Sequence, residues 1–135
     1  IFTGFVRNED ANKYYNASDI FIFPTLRLES FGIVIAEAMA CGKPVISTDG
    51  GALPEVVGDS GILVPTRDSS AITAAIEDLL LNPEQQLKLG ENARSRILEL
   101  FSWKVAAEEL ISMYTSILDE TDTKEVKEKN VIADN

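Results

Sequence analysis

Two glutamates, Glu29 and Glu37, stand eight residues apart in an otherwise apolar part of the chain. Glu37 is the only charged residue between Phe31 and Cys41, a stretch that we predict to be a helix ended by Gly42. A helix that is apolar all round is a buried helix. A carboxylate on it must be paired, hydrogen-bonded or functional, because an unpaired buried charge is very costly. The alternative to a functional Glu37 is a structural glutamate that caps a neighbouring loop or pairs with a distant arginine.

The start of the same predicted helix offers a second kind of chemistry. The first backbone N–H groups of a helix have no partner within it, and such a terminus binds anions, phosphate above all. The candidates for this anion site are Ser30, Phe31, Gly32 and Ile33. Gly32 would let an anion approach the backbone closely because it has no side chain; close packing of the helix on a sheet is the alternative.

The spacing of these groups indicates what they could bind together. A rise of about 1.5 Å per residue places the carboxylates of Glu29 and Glu37 about 12 Å apart along the helix axis, with the anion site between them. Carboxylates accept hydrogen bonds from adjacent sugar hydroxyls. A ligand with hydroxyls at both ends and phosphate in the middle is a nucleotide sugar, so we predict a nucleotide-sugar site.

Alternating strands and helices would position this segment. Apolar runs predict strands at residues 1–6, 20–23, 44–48 and 61–65. A helix is predicted over residues 8–18, and three later helices are predicted with caps at Ser69, Asn82 and Ser102. This order is typical of an α/β domain with a parallel sheet, in which ligands bind at the carboxyl ends of the strands. We therefore expect the site in the loop after Phe23 and at the helix that follows.

Composition excludes several classes of function. The 135 residues include no histidine and one cysteine, Cys41, which rules out histidine-dependent triads, an internal disulfide and the usual zinc sites. With 22 acidic and 12 basic residues the net charge is −10, which argues against nucleic-acid binding. No apolar run approaches the ~18 residues of a membrane-spanning helix. We expect a cytoplasmic protein, or one peripheral to the inner face of the membrane.

The sequence around the two glutamates resembles a known family. Glu29-x7-Glu37 lies within ESFGIVIAEAMACGKPVI, and the strings GGALPEVV at 50–57 and GILVP at 61–65 follow it. This combination is similar to that of the retaining GT-B glycosyltransferases of family 4, and the resemblance extends over residues 1–118. It implies a Rossmann-like α/β fold with a parallel sheet and flanking helices, as part of the C-terminal, nucleotide-sugar-binding domain. Residues 119–135, with six acids and three lysines, are predicted to be a charged, disordered tail.

The resemblance also implies roles for the candidate residues. Glu37 would hold the ribose hydroxyls of the donor. Glu29 would be the catalytic residue, in contact with the donor sugar near its anomeric centre. The backbone N–H groups of Ser30 and Phe31 would donate hydrogen bonds to sugar hydroxyls. Those of Gly32 and Ile33 would donate to the diphosphate. No metal and no cofactor is expected, and the donor would be a UDP-, GDP- or ADP-linked sugar.

The reaction implied is transfer of a hexosyl group from the nucleotide sugar to a sugar or lipid-linked acceptor, as in polysaccharide biosynthesis. In the family, the acceptor site belongs to the N-terminal domain, and a basic pair that grips the diphosphate lies upstream of the position of Ile1. No position here matches either. We therefore expect the chain alone to be inactive as a transferase. Two alternatives stay open: a non-catalytic nucleotide-sugar-binding module that acts with a partner chain, and a GT-B relative such as an epimerase or a phosphorylase.

The Rossmann strand order 3-2-1-4-5-6 has a consequence for residues 1–6. The four predicted strands would be numbers three to six of that order, and strands one and two, which separate three from four, are missing. The sheet would then have a bare edge. We therefore hypothesise that residues 1–6 are displaced, re-paired or supported by a partner.

Overall fold

A computed structural model describes the backbone of residues 1–133 and the side chains of residues 1–118. The chain forms two units, one spanning Ile1–Glu99 and a second that begins at Leu100. None of the helices in the described part of the chain is long and apolar enough to cross a membrane.

Helices and strands alternate along the first unit, as the sequence predicts for an α/β domain. The elements are α1 (Asn8–Ala17), β1 (Phe21–Phe23), α2 (Ile33–Ala40), β2 (Val45–Thr48), α3 (Leu53–Val57), β3 (Ile62–Val64), α4 (Ser69–Leu81) and α5 (Pro83–Leu100). The second unit contains α6 (Trp103–Ala133). The Ser102 hydroxyl accepts a hydrogen bond from the Val105 N–H at 3.4 Å, which confirms the predicted cap of the last helix.

The predicted boundary between domain and tail, after residue 118, falls within α6. The side chains of residues 119–133, and residues 134–135 entirely, lie outside the described residues. The charged tail at 119–135 therefore stays a prediction.

The three strands form a parallel sheet in the order β1-β2-β3, as predicted. Ile46 of β2 pairs with Ile22 of β1 on one side and with Ile62 of β3 on the other. All four residues of β2 are buried, because this strand is central and covered on both faces. Parallel strands carry their carboxyl ends to one edge of the sheet, which is where the loops after β1, β2 and β3 meet.

The predicted strand at residues 1–6 is wrong. This segment has no regular secondary structure, and the side chains of Ile1, Phe2 and Phe5 are exposed. A β-prone sequence becomes a strand only when a neighbouring strand accepts and donates its backbone hydrogen bonds. In the part of the chain that the structure describes, β1 pairs with β2 alone and no strand offers residues 1–6 a place. The segment lies outside the sheet, in agreement with the hypothesis that it is displaced.

The start of α4 differs by one residue from the prediction. Asp68, not Ser69, is the N-cap, since its carboxylate accepts a hydrogen bond from the Ala71 N–H at 2.9 Å. Aspartate and serine cap helices about equally well, so residue type does not separate two adjacent candidates.

Helix α2 is not buried all round, which corrects the prediction. Ile35 and Met39 are fully buried, on a helix that contacts α1, α3, β1 and β2. The opposite face is open: Ile33 is 67% exposed, Val34 is 37% exposed, and Glu37 is exposed as well. The Glu37 carboxylate is therefore in contact with water, and burial does not require it to have a partner.

The core beside the sheet is formed by Ile46, Val64 and Leu79, which are all buried. Helical spacing predicts one apolar face of α4 formed by Ile72, Ala75, Ile76, Leu79 and Leu80. The first three pack against this core together with Leu79, whereas the placement of Leu80 on that face is wrong. Leu79 is fully buried, whereas its neighbour Leu80 is 59% exposed.

Replacing Leu79 by alanine should therefore lower the free energy of unfolding by about 2–5 kcal/mol, since it removes buried methyl groups and leaves a cavity. Leu80→Ala is the matched control and should cost less than about 1 kcal/mol. Urea denaturation followed by circular dichroism measures both values. Equal losses for the two variants would contradict the position of α4 on the sheet.

Candidate functional site

An open depression of about 320 Å³ lies where the chain leaves the carboxyl end of β1 and enters α2. Five of the six predicted site residues line it, together with two that were not predicted, and the full lining is Phe23, Glu29, Ser30, Phe31, Gly32, Ile33 and Val34. Glu37 does not line the depression. It lies one helical turn beyond Ile33, on the same exposed face of α2.

The first turn of α2 opens towards this depression. The carbonyl of Gly32 accepts hydrogen bonds from the N–H groups of Ile35 at 2.9 Å and Ala36 at 3.2 Å, which starts the helical ladder. The N–H groups of Ile33 and Val34 precede that ladder, and among the described residues neither has a backbone partner outside the helix. Sequence reasoning ended the anion site at Ile33 and so missed Val34. As the second residue of α2, Val34 has an N–H group that, like that of Ile33, precedes the helical ladder.

Gly32 is required by packing and by backbone conformation. It is the N-cap of α2 in the left-handed region, with φ +84°. A Cβ atom added there would lie 2.6 Å from Cδ2 of Leu53 in α3. The close-packing alternative for this glycine is therefore supported, and its role towards a ligand stays a prediction.

The loop that carries Glu29 is held through its backbone. The Ala52 N–H donates to the carbonyl of Glu29 at 2.9 Å. Gly51, with φ +65°, lies so close that an added Cβ would be 2.6 Å from the Glu29 nitrogen. At the other end of the loop, the Thr48 hydroxyl donates to the Thr25 carbonyl at 2.9 Å. The carboxylate of Glu29, by contrast, makes no hydrogen bond or ion pair among the described residues.

The Glu37 carboxylate is held through its side chain. Its Oε2 accepts a hydrogen bond from the hydroxyl of Tyr15, on α1, at 2.8 Å. No ion pair involves Glu37 in the described part of the chain, and Lys43 donates instead to the Asn16 carbonyl at 2.9 Å. Among the described residues no arginine pairs with Glu37, in contrast to that alternative, and sequence reasoning missed Tyr15.

The surroundings of Tyr15 position its ring and change the pKa of its phenol. Its ring meets Phe21 of β1 edge-on, with ring centroids 5.5 Å apart. Partial burial, and then the hydrogen bond to Glu37 and its negative charge, raise the pKa of the Tyr15 phenol from 10 to about 12. The phenol therefore stays protonated and donates to Glu37 throughout the neutral pH range.

Metal binding finds no ready site in the part of the chain that the structure describes. No group of three or more aspartate, glutamate or cysteine side chains lies close enough together to hold an ion. The predicted absence of a metal from donor binding stays a prediction.

A parallel α/β sheet with an open helix N-terminus at its carboxyl edge defines the class of Rossmann-like ligand-binding domains. Within that class, the chain belongs to the family of glycosyl transferases group 1, which it matches over residues 1–96. The glycosyltransferase CapM of capsular polysaccharide biosynthesis in Staphylococcus aureus is 40% identical over 117 residues, which are 85% of this chain and 30% of CapM. The chain thus spans under a third of that relative.

Two solved structures share the fold. The structure of Anabaena Alr3699/HepE in complex with UDP and glucose has a TM-score of 0.78 and 26% identity, over 86% of this chain and 32% of that one. The C-terminal domain of a group 1 glycosyl transferase, LpcC, from Francisella tularensis has a TM-score of 0.69 and 29% identity, over 76% of this chain and 54% of that one. These similarities confirm the predicted family and the fold class, that of the C-terminal domain of a GT-B glycosyltransferase.

The contact between Gly51 and Glu29 yields a paired test. Gly51→Ala should lower the free energy of unfolding by about 1–3 kcal/mol, because alanine resists the left-handed backbone and its Cβ would overlap Glu29. Gly50→Ala is the control, since the nearest atom to an added Cβ there is the Arg27 carbonyl oxygen at 3.6 Å, an ordinary contact. Urea denaturation measures stability, and the NMR shift of the Glu29 amide reports its displacement. An unmoved Glu29 amide in Gly51→Ala would contradict this account.

Raising the pH tests the coupling of Tyr15 to Glu37. Glu37→Gln should lower the Tyr15 pKa from about 12 by removing the negative charge, but not to 10, because burial is the larger cause. In the wild type, the unfolded chain releases this proton near pH 10 while the native chain keeps it to about pH 12, so stability should fall as pH rises through that window. NMR of isotope-labelled tyrosine, assigned with Tyr15→Phe, gives the values. The same pKa in wild type and Glu37→Gln would exclude the coupling.

Proposed function

We propose that this chain is the donor-binding portion of a retaining glycosyltransferase that transfers a hexosyl group from a nucleoside diphosphate sugar to a sugar or lipid-linked acceptor. The observation that carries the proposal is the depression at the N-terminus of α2, where five of the six residues predicted for donor binding lie together. Membership of the group 1 family supports it, as does the similarity to a protein whose structure holds UDP and glucose.

The diphosphate would lie against the first turn of α2. Its charge is stabilised there by the N–H groups of Gly32 and Ile33 and by the positive end of the helix dipole. These donors also stabilise the negative charge that develops on the leaving diphosphate as the glycosidic bond breaks. An acidic chain can therefore bind an anion, because the positive groups are backbone dipoles and not lysine or arginine side chains.

The carboxylates of Glu29 and Glu37 would lie on either side of the diphosphate. Glu37, one turn along α2, accepts hydrogen bonds from the ribose hydroxyls. Glu29, in the lining of the depression, is the catalytic residue of the proposal and faces the donor sugar near its anomeric carbon. The N–H groups of Ser30 and Phe31 serve the sugar hydroxyls between these points.

The remaining parts of the enzyme would come from outside this chain. In the family the acceptor site belongs to the N-terminal domain and the cations that complete the diphosphate site lie upstream of the position of Ile1, so the chain alone is proposed to be inactive. Recovery of transfer when a separately expressed N-terminal half, which carries everything upstream of Ile1, is added would support the catalytic proposal. Donor binding without such recovery would favour the non-catalytic module.

Glu37→Ala tests the ribose contact. Titration of the chain with UDP, GDP and ADP identifies the base, and the preferred nucleotide should lose about tenfold or more in affinity when the carboxylate is removed. The 2′,3′-dideoxy form of that nucleotide should bind the wild type and Glu37→Ala about equally, because it has no hydroxyls to contact. Glu91→Ala, which removes an exposed glutamate from α5, is the control. Unchanged affinity in a folded Glu37→Ala protein would refute the ribose role.

A further inference from the structure

Tyr15 is the only side chain among the described residues that holds the Glu37 carboxylate. Its hydroxyl donates to Oε2 at 2.8 Å, and Oε1 has no protein partner in the described part of the chain. The two residues are 22 positions apart and belong to different helices. The bond is therefore a tertiary contact between α1 and α2.

The Tyr15 hydroxyl is itself fixed in place. The ring packs edge-on against Phe21, so its position is set by the sheet as well as by α1. The N–H and hydroxyl of Ser18 both donate to the Tyr15 carbonyl, at 3.2 and 2.8 Å, and close the end of α1. Tyr14, which precedes Tyr15 in the chain, has different surroundings: it is 50% exposed and lines a separate depression beside Arg7.

An exposed glutamate on a helix would otherwise sample several rotamers, and a ligand that needs one of them must order the side chain as it binds. A donor that already holds one carboxylate oxygen removes part of that cost before the ligand arrives. A phenol suits this role, because it donates one hydrogen bond and adds no charge that would compete for the carboxylate.

We propose that Tyr15 is a positioning residue of the donor site: its hydroxyl holds Oε2 of Glu37 so that Oε1 faces the ribose hydroxyls of the nucleotide. The inference rests on the proposed function, because it takes Glu37 as the ribose contact. It adds to the site a residue of α1 that lies outside the segment from Glu29 to Glu37.

Tyr15→Phe removes the hydroxyl and keeps the ring against Phe21. We expect the affinity for the preferred ribonucleotide among UDP, GDP and ADP to fall about 5- to 10-fold, and that for its 2′,3′-dideoxy form to change less than about twofold. Tyr14→Phe, the matched control, should alter neither affinity. In the Glu37→Ala background Tyr15→Phe should have no further effect, because Tyr15 acts through Glu37.

The outcomes separate this inference from the proposed function. A merely structural Tyr15 would weaken both nucleotides alike, and that result overturns the positioning role. If Glu37→Ala abolishes the preference for the ribonucleotide while Tyr15→Phe retains it in full, the ribose contact stands and the role of Tyr15 falls. A wild-type protein that binds no nucleotide, or does not prefer the ribonucleotide, overturns the proposed function and this inference together.

Discussion

The site depends on a backbone contact between two loops at the carboxyl edge of the sheet. The Glu29 carbonyl accepts from the Ala52 N–H, and Gly51 lets the two chains approach without a side chain between them. The next residue, Leu53 of α3, fills the space beside Gly32 at the start of α2. Residues 51–53, at the entry to α3, thus contact both the loop before α2 and the N-cap of α2.

The exposed residues of the first turn of α2, Ile33 and Val34, are apolar. Both residues line the depression, and under the proposed function their backbone N–H groups would interact with an anion without a charged or polar side chain. The buried face, with Ile35 and Met39, supplies the packing energy that holds the helix on the sheet. Composition is a poor guide to burial for this helix, because under the proposed function its exposed first turn would act through the backbone.

Sequence reasoning located the parts of the site that are local in the chain. Glu29 to Ile33 are consecutive and surround a helix start, so capping and dipole rules suffice to bring them together. Tyr15 lies on another helix, and no spacing rule connects it to Glu37. The strand predicted at residues 1–6 is wrong for a related reason. The β-propensity of a segment shows that it can form a strand, but whether it does depends on a neighbouring strand that is distant in the sequence. The N-cap of α4 is Asp68 and not Ser69, and residue type alone does not decide between two good capping residues that are adjacent in the chain.

The two carboxylates are restrained in opposite ways, and under the proposed function the difference matches what each would contact. Glu37 has its side chain held by Tyr15, whereas Glu29 has a fixed backbone and a carboxylate without a partner among the described residues. The ribose of a nucleotide sugar is the same whatever hexose it carries, so a fixed carboxylate suits it. The hexose varies in the orientation of its hydroxyls, and a carboxylate that can change rotamer on an immobile backbone tolerates that variation. Donor-sugar specificity would then arise less from the position of Glu29 than from the groups that limit its rotamers.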